Sequence, residues 1–536
     1  MAWLAAMLAG AAAPALARQA PADPPPGAAA DIAAGTVFSD LDGDGARGAG
    51  EPGIGGVLLS NGRDVVVTRD DGGYRLPLDA PGIVFVIRPA AYDLPRGADG
   101  LPAFWRPHVP DGTPDALGLA FAGQPATGVL PAEIDFPLLP RADGAPEAVS
   151  AILAADPQPR DHRELDFVRD SFLRAIAGEP ADFALVAGDI MYDDLSLLPR
   201  YLTLLAATGQ TWFHLPGNHE LNYESPDDAH ALETYRAFFG PPDHAFFAGP
   251  ALVVVLDNVV YAGHDPGRPK GAGRYHGGIG ADQLAFLRNL LDLVPADMPL
   301  VLATHIPLKA DRDAPHRSTA NRAELVALLC GRPHVLTLAG HLHMAERHEL
   351  GALDGCDGAP VPHWVLGTVS GNWWSGPPDA TGMPQALQMD GTPRGFYRLR
   401  LGPDSAAIAF VPLGEPPGAL RDGADPVRLQ LVREGPRDVL YANVATGGPR
   451  TVLGWRIGDG PVQPMEQVRY RDPLAVAAFE GLDLPDWNRP QPSTHLWRAA
   501  LPDDLPFGGH VVTVVAEDAG RLLGQGRVLV EQRTGP

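Results

Sequence analysis

The chain has 536 residues, with 41 Lys and Arg against 65 Asp and Glu and a formal net charge of −24, a length that suggests roughly three or four domains. The acidic balance excludes nucleic acid as the main partner, because phosphate-backbone binding needs a basic face. It does not exclude a small phosphorylated molecule, whose charge metal ions could neutralise locally.

Residues 1–20 read as a signal peptide: an Ala-rich apolar run from Ala2 to Leu16 ends in the small-x-small site Ala15-Leu16-Ala17, although no Lys or Arg precedes it. The run is shorter than the roughly 18 apolar residues of a spanning helix, and no later stretch qualifies. The expectation is a periplasmic or secreted protein without a membrane span. Only Cys330 and Cys356 are present, either paired by oxidation or left as two buried thiols.

After a Pro/Ala-rich linker, residues 31–147 alternate strand and turn signals, as in a small β-sandwich with its exit segment. Asp40, Asp42 and Asp44, with Gly45 sixth and Glu51 twelfth in the run, have the spacing of an oxygen-ligand calcium loop, and a structural calcium is the candidate occupant. A solvated acidic turn is the plainer reading. No helix pattern flanks the loop, and the segment resembles the calcium-binding β-sandwich repeats of bacterial surface proteins.

From residue 148 to about 380 the pattern changes to apolar strands alternating with amphipathic helices. The strands fall at Ser150–Ala155, Phe183–Ala187, Thr211–Leu215, Leu252–Asp257, Pro299–Thr304, Val335–Ala339 and Trp364–Gly367. Helices are expected at Glu164–Ile176, Asp282–Leu293 and Arg322–Leu329. This order predicts a layered α/β domain whose ligand site lies beyond the carboxyl ends of the strands. Residues 381–536 lose helical periodicity and read as a C-terminal β-sandwich.

Five polar clusters end apolar runs in the α/β region: Asp156-Pro157-Gln158, Gly188-Asp189, Gly217-Asn218-His219-Glu220, His305 and Gly340-His341-Leu342-His343. Each alone is an ordinary loop. Together their order resembles the calcineurin-like metallophosphoesterase superfamily, whose pattern is D-x-H, G-D, G-N-H-[DE], H and G-H-x-H, over about residues 150 to 375. The β-domains on both sides resemble an exported bacterial branch. One departure is Gln158, where the commoner pattern has His. An amide oxygen is a weaker donor than imidazole, and it shifts the expected pair of divalent metals toward manganese or iron, with zinc as the other candidate.

The resemblance implies that Asp156, Gln158, Asp189 and His343 hold one metal and that Asp189 bridges to a second held by Asn218, His305 and His341. It implies hydrolysis of phosphomonoesters or phosphodiesters by metal-bound hydroxide. His219 would stabilise or protonate the leaving oxygen, oriented by Asp193 or, less favourably, Glu220. A pyrophosphate-bond hydrolase acting on nucleotide-diphosphate compounds and a non-catalytic surface or carbohydrate-binding protein are the alternatives. His214 and His334 read as packed or rim histidines, Asp257 as structural, and His162, His264 and His276 as loop residues near the clusters. Trp373 and Trp374, in a Gly-rich loop, and Arg394 either wall the substrate pocket or cement the interface with the C-terminal sandwich. Oligomeric state is not legible.

Overall fold

A computed structural model describes residues 31–267, 274–413 and 427–532; the expected signal peptide and linker lie outside them. Among the described residues no helix is long and apolar enough to cross a membrane.

Two facing sheets form the centre. In the first, β1 (Val149–Ala154), β2 (Phe183–Ala187) and β3 (Trp212–Leu215) run parallel. In the second, β4 (His244–Ala248) and β5 (Ala251–Val255) form a hairpin that leads into β6 (Leu300–Ala303) and β7 (Val335–Ala339). β8 (Glu346–Leu350) and β9 (Val361–Val365) complete it, in the order β4-β5-β6-β7-β9-β8. Every residue of β2, β5, β6 and β7 is buried, as expected of parallel strands covered on both faces. Phe183 of β2 meets Phe246 of β4 edge-on at 5.1 Å, and Phe213 of β3 stacks on Phe246 at 3.8 Å, so the sheets pack directly on one another.

The helices cover the outer faces. α1 (His162–Val168) starts at Asp161, whose carboxylate accepts from the amides of Arg163 and Glu164. The single helix expected over Glu164–Ile176 is interrupted by a π segment at Arg169–Leu173, beside which the Ser171 hydroxyl bonds back to the Phe167 carbonyl at 2.6 Å. α2 (Leu198–Ala206), α3 (Glu233–Phe239), α4 (Ala281–Leu291) and α5 (Arg322–Leu329) follow. Cys330 and Cys356 are joined in a disulfide that ties the end of α5 to the turn before β9.

The chain then returns to the first sheet. β10 (Gly395–Gly402) pairs antiparallel with β1, and β11 (Ser405–Pro412) pairs with β10, giving the order β3-β2-β1-β10-β11. Both strands lie within the 381–536 region expected to form the C-terminal sandwich but pair into the first sheet, so the boundary drawn at 380/381 falls inside the α/β unit. Their alternating pattern reflects antiparallel pairing with one half-covered face, which a sandwich strand shares.

On one side, strands within 31–140 form two four-stranded sheets. They dock through Phe85 against Phe286 at 5.9 Å and Phe104 against Phe213 at 5.8 Å. On the other, residues 427–532 form two further four-stranded sheets around Leu440, Trp455, Trp497, Val512 and Val514. That unit docks through buried polar contacts: His495 Nε2 lies 2.9 Å from Asp390, and the Asn443 amide donates to the Asp390 carbonyl at 3.0 Å.

Candidate metal centre

All five clusters lie at the carboxyl ends of strands: Asp156 after β1, Asp189 after β2, Asn218 after β3, His305 after β6, and His341 and His343 after β7. The local backbone is unusual. Asp156, Gln158, Asp189, Asp193, His341 and His343 all have φ between 36° and 76°, a left-handed conformation that side-chain-bearing residues adopt only where their surroundings enforce it. The turns point these side chains inward from two sheets at once.

Asp189 sits at the centre. Its Oδ1 is 3.2 Å from His305 Nε2 and accepts the His219 amide at 3.0 Å, while its Oδ2 accepts the Gln158 amide at 2.6 Å. His341 Nδ1 lies 3.2 Å and Asn218 Oδ1 3.4 Å from His305 Nε2. The donor atoms of Asp189, His305 and His341 all fall within 4.8 Å of one another. On the other flank His343 Nε2 is 3.7 Å from Asp156 Oδ1. The Gln158 Oε1 and His343 Nε2 atoms are buried with no hydrogen-bond partner, although buried polar atoms are normally paired.

The three histidines share one arrangement. His305 donates Nδ1–H to the Ala187 carbonyl at 2.9 Å, His341 donates Nε2–H to the His316 carbonyl at 2.7 Å, and His343 donates Nδ1–H to the Gly371 carbonyl at 2.5 Å. A carbonyl can only accept, so each imidazole turns its other nitrogen, a lone pair when neutral, toward the carboxylates. This is how metal-ligating imidazoles are oriented.

The electrostatics agree. Burial, together with Asp189, pushes the Asp156 carboxyl well up. Burial opposes the charge on Asp189 too, but His305, His219 and His341 together outweigh it and hold Asp189 down. Burial likewise opposes charge on His305, yet Asp189 draws that group up to about 9. Burial, helped by His305, lowers His341 to about 3, and burial lowers His343 to about 3. Two buried carboxylates facing several lone pairs require positive charge between them. Protons supply it when no ion is bound, and divalent cations fit the same space, so the residues present suit a metal pair.

His219 lies beside this cluster. Its Nε2 is 3.9 Å from Asp189 Oδ2 and its Nδ1 is 2.7 Å from Asp193 Oδ1. Burial disfavours its charged form, but Asp189 and then Asp193 outweigh that and raise it to about 9. Glu220 does not reach His219 for a hydrogen bond; its two oxygens accept the amides of Gly217 at 2.8 Å and Met191 at 3.0 Å and fasten the loop.

Glycines line the ligands closely. At Gly217, with φ −113° and ψ −170°, the backbone would accept any residue, but a Cβ would overlap Asp189 Oδ1 and sit 2.8 Å from His305 Cε1. Gly217→Ala is therefore expected to weaken metal affinity by about 10–100-fold, the usual scale for disturbing the groups that orient ligands. Metal titration of the purified variant checks this; unchanged affinity would mean that the loop shifts freely.

Of the remaining sequence candidates, Trp373 and Trp374 lie beside the centre with Arg394 behind them, and the others are dispersed. Trp374 is buried, its indole N–H donating to the Pro157 carbonyl at 2.9 Å, and Arg394 is buried 5.7 Å from the Trp374 ring. Trp373 is half-buried and stacks on His343 at 3.7 Å. His214 packs in the core near Tyr201, Trp212 and Phe239, His264 bonds the Tyr223 carbonyl, and His334 lies at the rim 3.7 Å from Asp404. Asp257 is held beside Asp243 and Gln283, and His162 opens α1; His276 lies exposed in the short strand Tyr275–Gly277.

In the N-terminal domain the carboxylates of Asp40, Asp42 and Asp44 come together within 4.8 Å. Glu51 is not in that group; it accepts the amides of Leu41 at 2.7 Å and Gly48 at 2.8 Å.

Three family models match the chain: calcineurin-like phosphoesterase over residues 154–345, the N terminal of calcineurin-like phosphoesterase over 42–122, and the C terminal of calcineurin-like phosphoesterase over 363–521. No curated protein matches it. Among solved structures, a dimetal phosphatase from Danio rerio is similar at 16% identity, covering 49% of this chain and 97% of its own, with a TM-score of 0.35. A purple acid phosphatase from yellow lupin (Lupinus luteus) seeds is similar at 12% identity, covering 76% and 68%, with a TM-score of 0.35. A structure of PhoD is similar at 12% identity, covering 78% and 90%, with a TM-score of 0.36.

Proposed function

The chain belongs to the calcineurin-like phosphoesterase family and is a hydrolase of phosphate esters, and we propose that it works through two divalent ions held by the residues just described. Asp156, Gln158, Asp189 and His343 would hold one ion, and Asp189, Asn218, His305 and His341 the other. The observation that carries this reading is the common orientation of the three imidazoles, each with its far nitrogen spent on a backbone carbonyl. Bound there, the ions supply Lewis acidity toward the phosphoryl oxygens and acidify water. The four oxygen-donating residues, Asp156, Gln158, Asp189 and Asn218, favour manganese or iron over zinc.

The chain's own chemistry lies with His219. Asp193 takes its Nδ1–H and leaves Nε2 facing the centre, so the imidazolium can give a proton to the departing alkoxide from that atom. The backbone turns at Asp189 and Gly217 hold the acid and the ligands in one fixed relation, which limits reorganisation during the reaction. The Cys330–Cys356 bridge and the apolar opening of the chain both suit an oxidising compartment, and we propose export to the periplasm or beyond.

The test is metal content of the purified protein, with hydrolysis of p-nitrophenyl phosphate and bis-p-nitrophenyl phosphate before and after chelation and manganese restoration. About two transition metals per chain with restorable turnover is expected. No metal uptake and no turnover on either ester would overturn the reading.

A further inference from the structure

Four side chains at the edge of the centre have no part in holding metal or moving a proton: Arg160, Tyr192, Trp373 and Trp487. They form a connected rim. The Tyr192 ring stacks on His219 at 4.7 Å, and Trp373 stacks on His343 at 3.7 Å with 17° between planes. Arg160 joins the two, its guanidinium 5.4 Å from the Tyr192 ring and donating to the Trp373 carbonyl. Trp487, from the C-terminal domain, meets Trp373 edge-on at 4.8 Å and 90°.

Trp487 remains 55% exposed, so it is not there to fill a core. Its position is nevertheless fixed, because the carbonyl of its buried neighbour Asn488 accepts the buried Asn372 amide at 3.2 Å across the domain boundary. Trp373 and Trp374 have φ of 50° and 51°, a costly conformation for two bulky residues in a row. The buried Trp374 secures the turn through its bond to Pro157. Rigid, strained placement of aromatic rings next to a reactive centre, with one indole left largely exposed, is the construction of a binding surface for another flat group.

Resting on the phosphoesterase reading, we propose that this rim is a leaving-group subsite: it takes phosphate esters whose alcohol carries a planar π system, an aryl or nucleobase group, which stacks on the exposed indole of Trp487. The C-terminal domain thereby contributes to substrate choice without touching the metals. Beyond its contact with Trp373, Trp487 keeps 55% of its surface exposed at this rim, and an exposed indole can take a flat π group.

The experiment compares binding of phenylphosphonate and methylphosphonate, which are not hydrolysed, to the full manganese-loaded chain, in the wild type and in Trp487→Ala and Trp487→Phe. The wild type is expected to prefer the phenyl ligand by about five- to tenfold, the scale of one aromatic stack. Trp487→Ala should reduce that preference to within about twofold, and Trp487→Phe should keep most of it, which separates stacking from a folding defect. Equal affinities in the wild type, or an equal loss for both ligands in Trp487→Ala, would overturn the subsite. Turnover of p-nitrophenyl phosphate without phenyl preference removes the subsite alone; absence of turnover together with absence of phosphonate binding removes the phosphoesterase reading as well.

Discussion

Replacing Asp189 by Asn is expected to abolish metal-dependent turnover, by at least about a thousandfold, while the circular dichroism spectrum stays that of the wild type. The side chain is 2% exposed and shared among Gln158, His219 and His305, so the isosteric amide can keep the packing. In the proposed two-ion site this carboxylate would lie between the ions and its charge would offset their mutual repulsion, which a neutral amide would not. Elemental analysis of the variant should find fewer than two metals per chain. A variant that retains both metals and full turnover would show that Asp189 is not the bridge.

His219→Ala separates the proton from the metals. The imidazole contacts Asp193 and Asp189 and is not needed to complete either ligand set, so metal content should stay at the wild-type level while kcat falls by about 10²–10⁴-fold, the range for a positioned general acid. Asp193→Asn should cost less, about 10–100-fold, because it disturbs orientation and leaves the acid present. A substrate with a good leaving group such as p-nitrophenolate should suffer less from both changes than an alkyl ester, since it leaves without needing a proton. Loss of metal in His219→Ala would instead make His219 a ligand.

Much of the centre was legible because its chemistry sits in short polar runs directly after apolar strands. Asp189 after Phe183–Ala187 and His341 after Val335–Ala339 are found at the strand ends where they were expected. The groups that orient the histidines were not legible. The carbonyls of Ala187, His316 and Gly371 carry no side-chain signature, and only the folded path of the chain aims them. Trp487 was missed for a similar reason: it lies far from the clusters in sequence and meets Trp373 only when the C-terminal domain docks. Glu51 has the twelfth position of a calcium loop, yet in the folded chain it caps backbone amides, a role its spacing does not distinguish. The pairing of β10 was hidden because exposed Arg398 and Arg400 alternate with buried Tyr397, Leu399 and Leu401 as they would in any antiparallel strand, and local pattern does not name the neighbour.

That pairing has a consequence for how the protein is made. As the chain leaves the ribosome, β1, β2 and β3 can assemble early, but β1 then presents one bare edge until the distant β10 arrives to cover it. An uncovered edge of apolar, parallel-type strand is a template for association with other chains. The nascent protein therefore passes through an interval in which its reactive centre is largely encoded yet its central sheet is open, and a product terminated near residue 380 would carry the metal ligands but remain permanently adhesive. The catalytic half and the closing hairpin share one sheet, and truncation between them is expected to leave that sheet open.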